Sequence, residues 1–210
     1  MAVSVAVSSD RIHTGSRLGE VIETTTAGYW AESDVLHQLP PLGALVASTL
    51  PDGRRNYGIV AFGQTGGLDP SRRAIKRGND DLTDNAIYDR HPELQHVLRT
   101  LFRVASVGFK EHSRVRHSIP PLPVPLHYSV HACAPAEVAE FVMSPRYFAA
   151  LLRHHGDIAA EDMLAAHLRW VDELLNDNHG WLADATRRVA SLMKRDYDRL
   201  VIVLDSVDPD

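Results

Sequence analysis

The chain has 210 residues, of which 44% are hydrophobic, 23% charged and 7% aromatic, the proportions of an ordinary globular protein. At this length folding buries roughly 70% of the unfolded surface, so a core needs no metal or cross-link. A single cysteine, Cys133, excludes an internal disulfide framework and fits a reducing compartment. The net charge of −5, from 22 basic and 27 acidic side chains, argues against a strongly basic nucleic-acid binder at the level of the whole chain.

Met1 to Val7 is mildly apolar but has no basic start and stops at Ser8-Ser9-Asp10, so it does not read as a signal peptide. No apolar run approaches the roughly 18 residues of a membrane helix. The expectation is a cytoplasmic protein with no membrane contact of its own.

The first half reads as strands. Leu18 to Thr26 is rich in β-branched residues and ends near Gly28; Ala44 to Thr49 follows Pro40-Pro41-Leu42-Gly43. Asp52-Gly53 signals a two-residue turn, after which Asn56 to Phe62 returns as the partner strand. Gly63 to Gly67 holds three glycines and reads as the corner that closes this unit. Residues 69–97 interrupt the pattern: Asp69 to Gly78 is a basic loop, Asp80-Asp81 is acidic, and Pro92 opens a short helix. Strand character returns from Leu101 to Phe109. A second basic loop, Lys110 to His117, leads to a segment with four prolines between Pro120 and Pro125, which is extended and no central strand. Leu126 to Cys133 alternates, with Leu126, Tyr128, Val130 and Ala132 on one face.

From Ala134 the period changes to that of a helix. Pro135 to Val142 forms the first; Ser144-Pro145 reads as N-cap and N1 of the next, which ends at Gly156; Asp157 caps a third. That third helix carries Leu164, Leu168, Val171 and Leu175 on one stripe. A fourth runs from about Leu182 to Lys194, and the unbroken apolar run Leu200 to Leu204 reads as a short buried strand. The fold expected is therefore α+β: a small antiparallel β-barrel over residues 1–133, with the 69–97 insertion, then a helical subdomain over 134–210 ending in a strand.

Candidate chemistry is sparse. Gly63-Gln64-Thr65-Gly66-Gly67 is followed by Leu68-Asp69-Pro70, without the Lys and Ser/Thr of a phosphate-binding Walker loop. Among the 12 histidines, His127 and His131 share a strand face but lie about 13 Å apart, too far for one metal. No metal and no cofactor is expected. Cys133 with His127 or His131 is the one arrangement that a covalent hydrolase could use, although no nucleophile elbow surrounds it. The strongest direct chemistry is basic: Arg54 and Arg55 on the hairpin turn, Arg72, Arg73, Lys76 and Arg77 in one loop, Lys110, Arg114 and Arg116 in another. On one barrel rim these nine could meet DNA or RNA phosphates or a partner protein. The alternative is a solvated, salt-bridged loop surface.

The order of the pieces resembles the HAS-barrel family, the small barrel at the N-terminus of HerA-type DNA translocases and of the F-type ATPase α and β subunits. The residues that carry this are Leu18-Gly19-Glu20-Val21-Ile22, Leu42-Gly43-Ala44-Leu45-Val46, Tyr57-Gly58-Ile59-Val60, Val104 to Phe109, and the Pro-rich approach to Leu126–His131. The resemblance covers roughly residues 15–133. In the translocases a RecA-like ATPase follows the barrel, whereas here some 75 mostly helical residues do, so ATPase activity does not transfer. What the resemblance implies is a docking or ring-forming role in DNA processing or repair. The implied partners are a HerA-like ATPase, a NurA-like nuclease or further copies of the chain, and no catalytic residue is implied.

Overall fold

The computed structural model describes residues 15–69, 71–175 and 180–207; Met1–Val7 and Pro70 of the basic loop lie outside them. Seven strands are present among these residues: β1 (Arg17–Thr25), β2 (Gly28–Ser33), β3 (Leu45–Thr49), β4 (Arg55–Gly67), β5 (Leu98–Glu111), β6 (Arg114–Arg116) and β7 (Ser129–Ala132). They pair in the order β2-β1-β7-β3-β4-β5-β6, and a further β2–β5 pairing joins the ends of the first six. Every pairing is antiparallel. The result is a closed six-stranded barrel with β6 appended to β5. Closure needs strongly bent strands, and the bends fall at register shifts between Val21 and Glu23, Tyr57 and Gly58, and Val60 and Phe62.

Alternation along the strands sorts side chains into two cores. Val21, Ala31, Val46, Val60, Phe102, Val104 and Val130 fill the barrel. Leu45, Ala47, Tyr57, Ile59, Ala105 and Val107 point outward beneath the helices. Both faces of β3 are covered, which explains why Ala44 to Ala47 is a continuous apolar run rather than an alternating one.

The strand expected over Leu18–Thr26 is half of a hairpin that returns as β2, an element the glycine at 28 concealed. Between β3 and β4 the turn is one residue longer than the Asp-Gly signal implied. Leu50 N–H donates to Arg54 O and Gly53 N–H to Leu50 O, so Pro51-Asp52-Gly53 forms the loop with Gly53 at φ 79°. Gly63–Gly67 is no corner. It continues β4 and pairs with Leu98–Phe102. Val60 still exchanges hydrogen bonds with Ala44 and Gly43, but Gln64–Gly67 has only β5 as a strand neighbour. The β4–β5 ribbon therefore overhangs the barrel wall and carries the insertion at its tip, with α1 (Asn85–Arg90) and α2 (Leu94–Val97).

The second half begins with α3 (Pro135–Val142), a 3₁₀ turn at Pro145–Tyr147 running into α4 (Phe148–Leu151), then α5 (Ala160–Leu175), α6 (Trp181–Leu192) and α7 (Tyr197–Val207). Pro145 does hold the N1 position, but the Ser144 side chain makes no capping bond. Asp157 caps nothing: α5 starts three residues later, and Asp157 pairs with Arg103 instead. The run Leu200–Leu204 is helix, not strand. Leu200, Val203 and Val207 form the face that meets the main core, while Ile202 and Leu204 are exposed, a spacing only a helix provides.

Phe141, Tyr147 and Phe148 are fully buried between α3, α4 and the barrel's outer wall, and each aromatic buries on the order of 150–250 Å². The buried His167 of α5 bridges the two halves. Its Nδ1 faces Gly43 O at 2.7 Å and its Nε2 the Tyr147 hydroxyl at 2.8 Å. A carbonyl only accepts, so Nδ1 carries the proton and Tyr147 donates to Nε2. Gly43 has φ 84°, and a Cβ there would stand 2.4 Å from the His167 backbone nitrogen. The glycine of Leu42-Gly43 is thus the place where barrel backbone lies directly on α5.

Candidate functional site

The nine basic residues do not share a rim. Arg55 and Lys110 are paired across the β4–β5 ribbon at one end, with Arg54 just before it, beside the β5–β6 turn that precedes Arg114 and Arg116. Arg72, Arg73, Lys76 and Arg77 lie past the other end of the same ribbon. β4 is 13 residues long, so the two groups are separated by roughly 40 Å of strand.

Much of this charge is already satisfied within the chain. Arg54 pairs with Asp52 and Glu111 and lies over the Phe109 ring at 5.6 Å. Lys110 Nζ holds Glu140 at 2.7 Å, Arg72 meets Asp69 at 3.3 Å, and Arg77 meets Glu93 at 3.4 Å. Among the described residues Arg73, Lys76, Arg114 and Arg116 are exposed and make no ion pair. An unpaired arginine or lysine on the surface keeps its charge available to a partner.

Arg55 belongs to a half-buried cluster that joins the barrel to α3. Arg55 and Tyr57 are two apart on β4 and share its helix-facing side; Glu137 descends onto them from the first turn of α3. Glu137 accepts two hydrogen bonds from Arg55, Nη2 at 3.0 Å and Nε, and a third from the Tyr57 hydroxyl at 2.9 Å. Burial pushes the Glu137 carboxyl up, but the Arg55 hydrogen bonds and charge and the Tyr57 bond outweigh it and hold the group below its usual range. Burial, then the Glu137 charge and the hydrogen bond to it, raise Tyr57. Cys133, at the same cluster, is raised by burial first and by Glu137 second. Glu137 is thus held ionised while the Tyr57 phenol and the Cys133 thiol keep their protons, and a thiol kept protonated is a weak nucleophile.

Of the other two residues of the covalent reading, His131 on β7 borders Arg55, and burial, Arg55 and Arg17 lower its pKa. His127 is elsewhere. It sits exposed in the turn before β7 at φ 66° and faces Glu20 at 2.7 Å. The strand expected over Leu126–Cys133 is confined to Ser129–Ala132, because Leu126 and His127 form that turn, but Tyr128, Val130 and Ala132 do share the barrel-facing side, with Cys133 on the other. Among the described residues no three His, Cys, Asp or Glu side chains gather as a metal site, and no helix is long and apolar enough to cross a membrane.

At the far end, the overhanging ribbon and its insertion enclose a groove of about 380 Å³ between the basic loop and α1–α2, floored by Leu68, Ile87, Tyr88, Leu94 and Val97. Ile75 is 85% exposed above it, and Leu68 and Val97 are 47% and 43% exposed. Arg73 and Lys76 flank Ile75. Sequence reading found the charge of this loop but missed the apolar floor, whose signal was the spacing of Ile87, Leu94 and Val97.

The fold and this surface define a small closed antiparallel barrel with a helical cover and a projecting basic-apolar arm. No protein-family model matches the chain, and a search of curated proteins finds no match either.

Proposed function

We propose that this chain is a non-catalytic accessory protein whose barrel docks on, or stands in for, the barrel ring of a HerA-like DNA translocase. One observation carries the reading: the segments that resemble the HAS barrel fall on consecutive walls of a single closed barrel. Leu18–Ile22 lies on β1, Leu126–His131 runs into β7, Leu42–Val46 leads into β3, Tyr57–Val60 is on β4, and Val104–Phe109 is on β5. Among the described residues the unpaired strand edges include Gln64–Gly67, the outer side of Leu98–Thr100 and the outer side of β6, so docking uses those edges and the arm beside them. Ile75 supplies the apolar anchor, and Arg73 and Lys76 steer an acidic partner surface. The helical end is left to meet a second partner, such as a NurA-like nuclease, or another copy.

The test is co-elution of the purified chain with a purified HerA-like ATPase, at micromolar concentration and with both proteins folded. The expected result is a joint peak that Ile75→Asp abolishes without changing the chain's own unfolding midpoint. Separate peaks for the unaltered chain overturn the reading.

A further inference from the structure

A second concavity lies on a different face and shares no lining residue with the arm. It is a cleft of about 740 Å³ on the outer wall of the β2–β5 pair, flanked by the segment after β6 and by α4 with its following turn. That volume is typical of a small-molecule site. Its charge is one-sided. Arg103, Arg146 and Arg153 line it together with His117, His154 and His155, against Glu23 as the acidic lining residue. Arg103 is partly spent on Asp157 at 3.3 Å. Arg146 and Arg153 are exposed and have no ion pair among the described residues; Arg153 Nε donates only to Ala149 O in its own helical turn.

The cleft also holds an aromatic face. Trp30 alternates with the inward-pointing Tyr29 and Ala31, so its indole stands on the outer wall, with the Arg103 guanidinium 5.9 Å from the ring centre and Phe62 meeting it edge-on at 6.0 Å. Burial is the main reason that His117 and His154 have lowered pKa values; Arg146 and Arg103 respectively depress them further, with the Phe141 carbonyl and Asp157 opposing in part. Thr24 Oγ1 and His154 Nε2 at the wall have no hydrogen-bond partner among the described residues. A ring to stack on, beside clustered guanidinium and imidazole groups, matches a ligand with a flat heterocycle and a multiply charged anionic tail.

We propose that this cleft binds a nucleotide, its base against Trp30 and its phosphates among Arg103, Arg146 and Arg153. The interaction is binding alone; no bond is made or broken. It does not depend on the docking role, because the Ile75→Asp chain retains the whole cleft.

The test is calorimetric titration of the full chain with ATP, with sodium triphosphate and with a short oligothymidylate, and then with ATP against variants. Saturable one-to-one ATP binding is expected. It should be weakened about tenfold or more by the exposed charge reversals Arg146→Glu and Arg153→Glu together. Trp30→Leu should weaken ATP but leave triphosphate unchanged. Arg73→Glu with Lys76→Glu, in the arm, should change nothing. The proposal is overturned if ATP does not bind at low salt, if triphosphate binds as well as ATP, if only the oligonucleotide binds, or if the arm variant loses as much as the cleft variant.

Discussion

Acidification from about pH 7.5 to about pH 5 is expected to remove about 2 kcal/mol of folding stability through His167 alone. The imidazole is fully buried, and burial pushes its pKa down from 6.5 to about 4, with the hydrogen bond to the Gly43 carbonyl opposing that shift in part. A histidine with a depressed folded value binds fewer protons when folded than when unfolded. Its contribution is therefore complete above the unfolded pKa and is lost as pH falls from 6.5 towards 4, reaching about 3 kcal/mol when the whole window has been crossed. The groups facing it are the Tyr147 hydroxyl, the Gly43 carbonyl and the Trp170 ring, with His117 beyond Tyr147; none carries a charge at neutral pH that could offset the imidazolium.

His167→Asn retains an amide donor near the Nδ1 position but has nothing to titrate. It should lose about 1–3 kcal/mol at neutral pH, because the Tyr147 hydroxyl is left without its acceptor. The informative quantity is the slope. Urea unfolding across this pH range should show the difference between the two proteins shrinking by about 2 kcal/mol on acidification. Because His117, His131 and His154 are also depressed, the unaltered chain alone does not isolate His167, whereas the difference does. Parallel curves for the two proteins refute the reasoning.

Two further outcomes follow from the cluster under α3. Glu137→Gln leaves Arg55 charged without its carboxylate partner in a half-buried site and should cost about 2 kcal/mol at neutral pH, read as a lower urea midpoint. The difference from the unaltered chain should fade as pH drops below the usual glutamate range of 4.5, since a depressed carboxyl contributes above its unfolded value and loses that contribution on protonation; an unchanged midpoint at neutral pH counts against the ion pair. Cys133, 6% exposed and with a raised pKa, should react with a thiol reagent at least about a hundredfold more slowly than in the urea-unfolded chain. Comparable rates in the two states contradict its burial.

The barrel was legible because its determinants are local. The β-branched run at Leu18–Thr26, the Asp52-Gly53 turn signal and the apolar return over Asn56–Phe62 each specify strand or turn within a few residues, although the turn itself takes in Pro51 as well. The change of period at Ala134 marked the helices for the same reason. What escaped depends on partners distant in sequence. Leu200–Leu204 has a strand's composition, and only the fully buried Val203 against α5 reveals the helix. Gly63–Gly67 resembles a corner, yet Leu98–Phe102 pairs with it across a long insertion. The basic loops are alike in composition, but which end of β4 each occupies follows from the antiparallel register. Glu137 lies 82 and 80 positions from Arg55 and Tyr57 in the chain; the i, i+2 spacing on β4 was visible, the carboxylate above it was not.

The overhanging ribbon has a mechanical consequence. β4 and β5 run from its tip into the wall, where β4 is clamped to β3 by five register pairs and β5 to β2 by five more. Tension applied at the tip acts along the strand axes, so it must slide whole ladders at once instead of opening them one rung at a time. A pull on the tip would then meet a stiff handle, and the load would spread around the cylinder before α3 to α7 felt it.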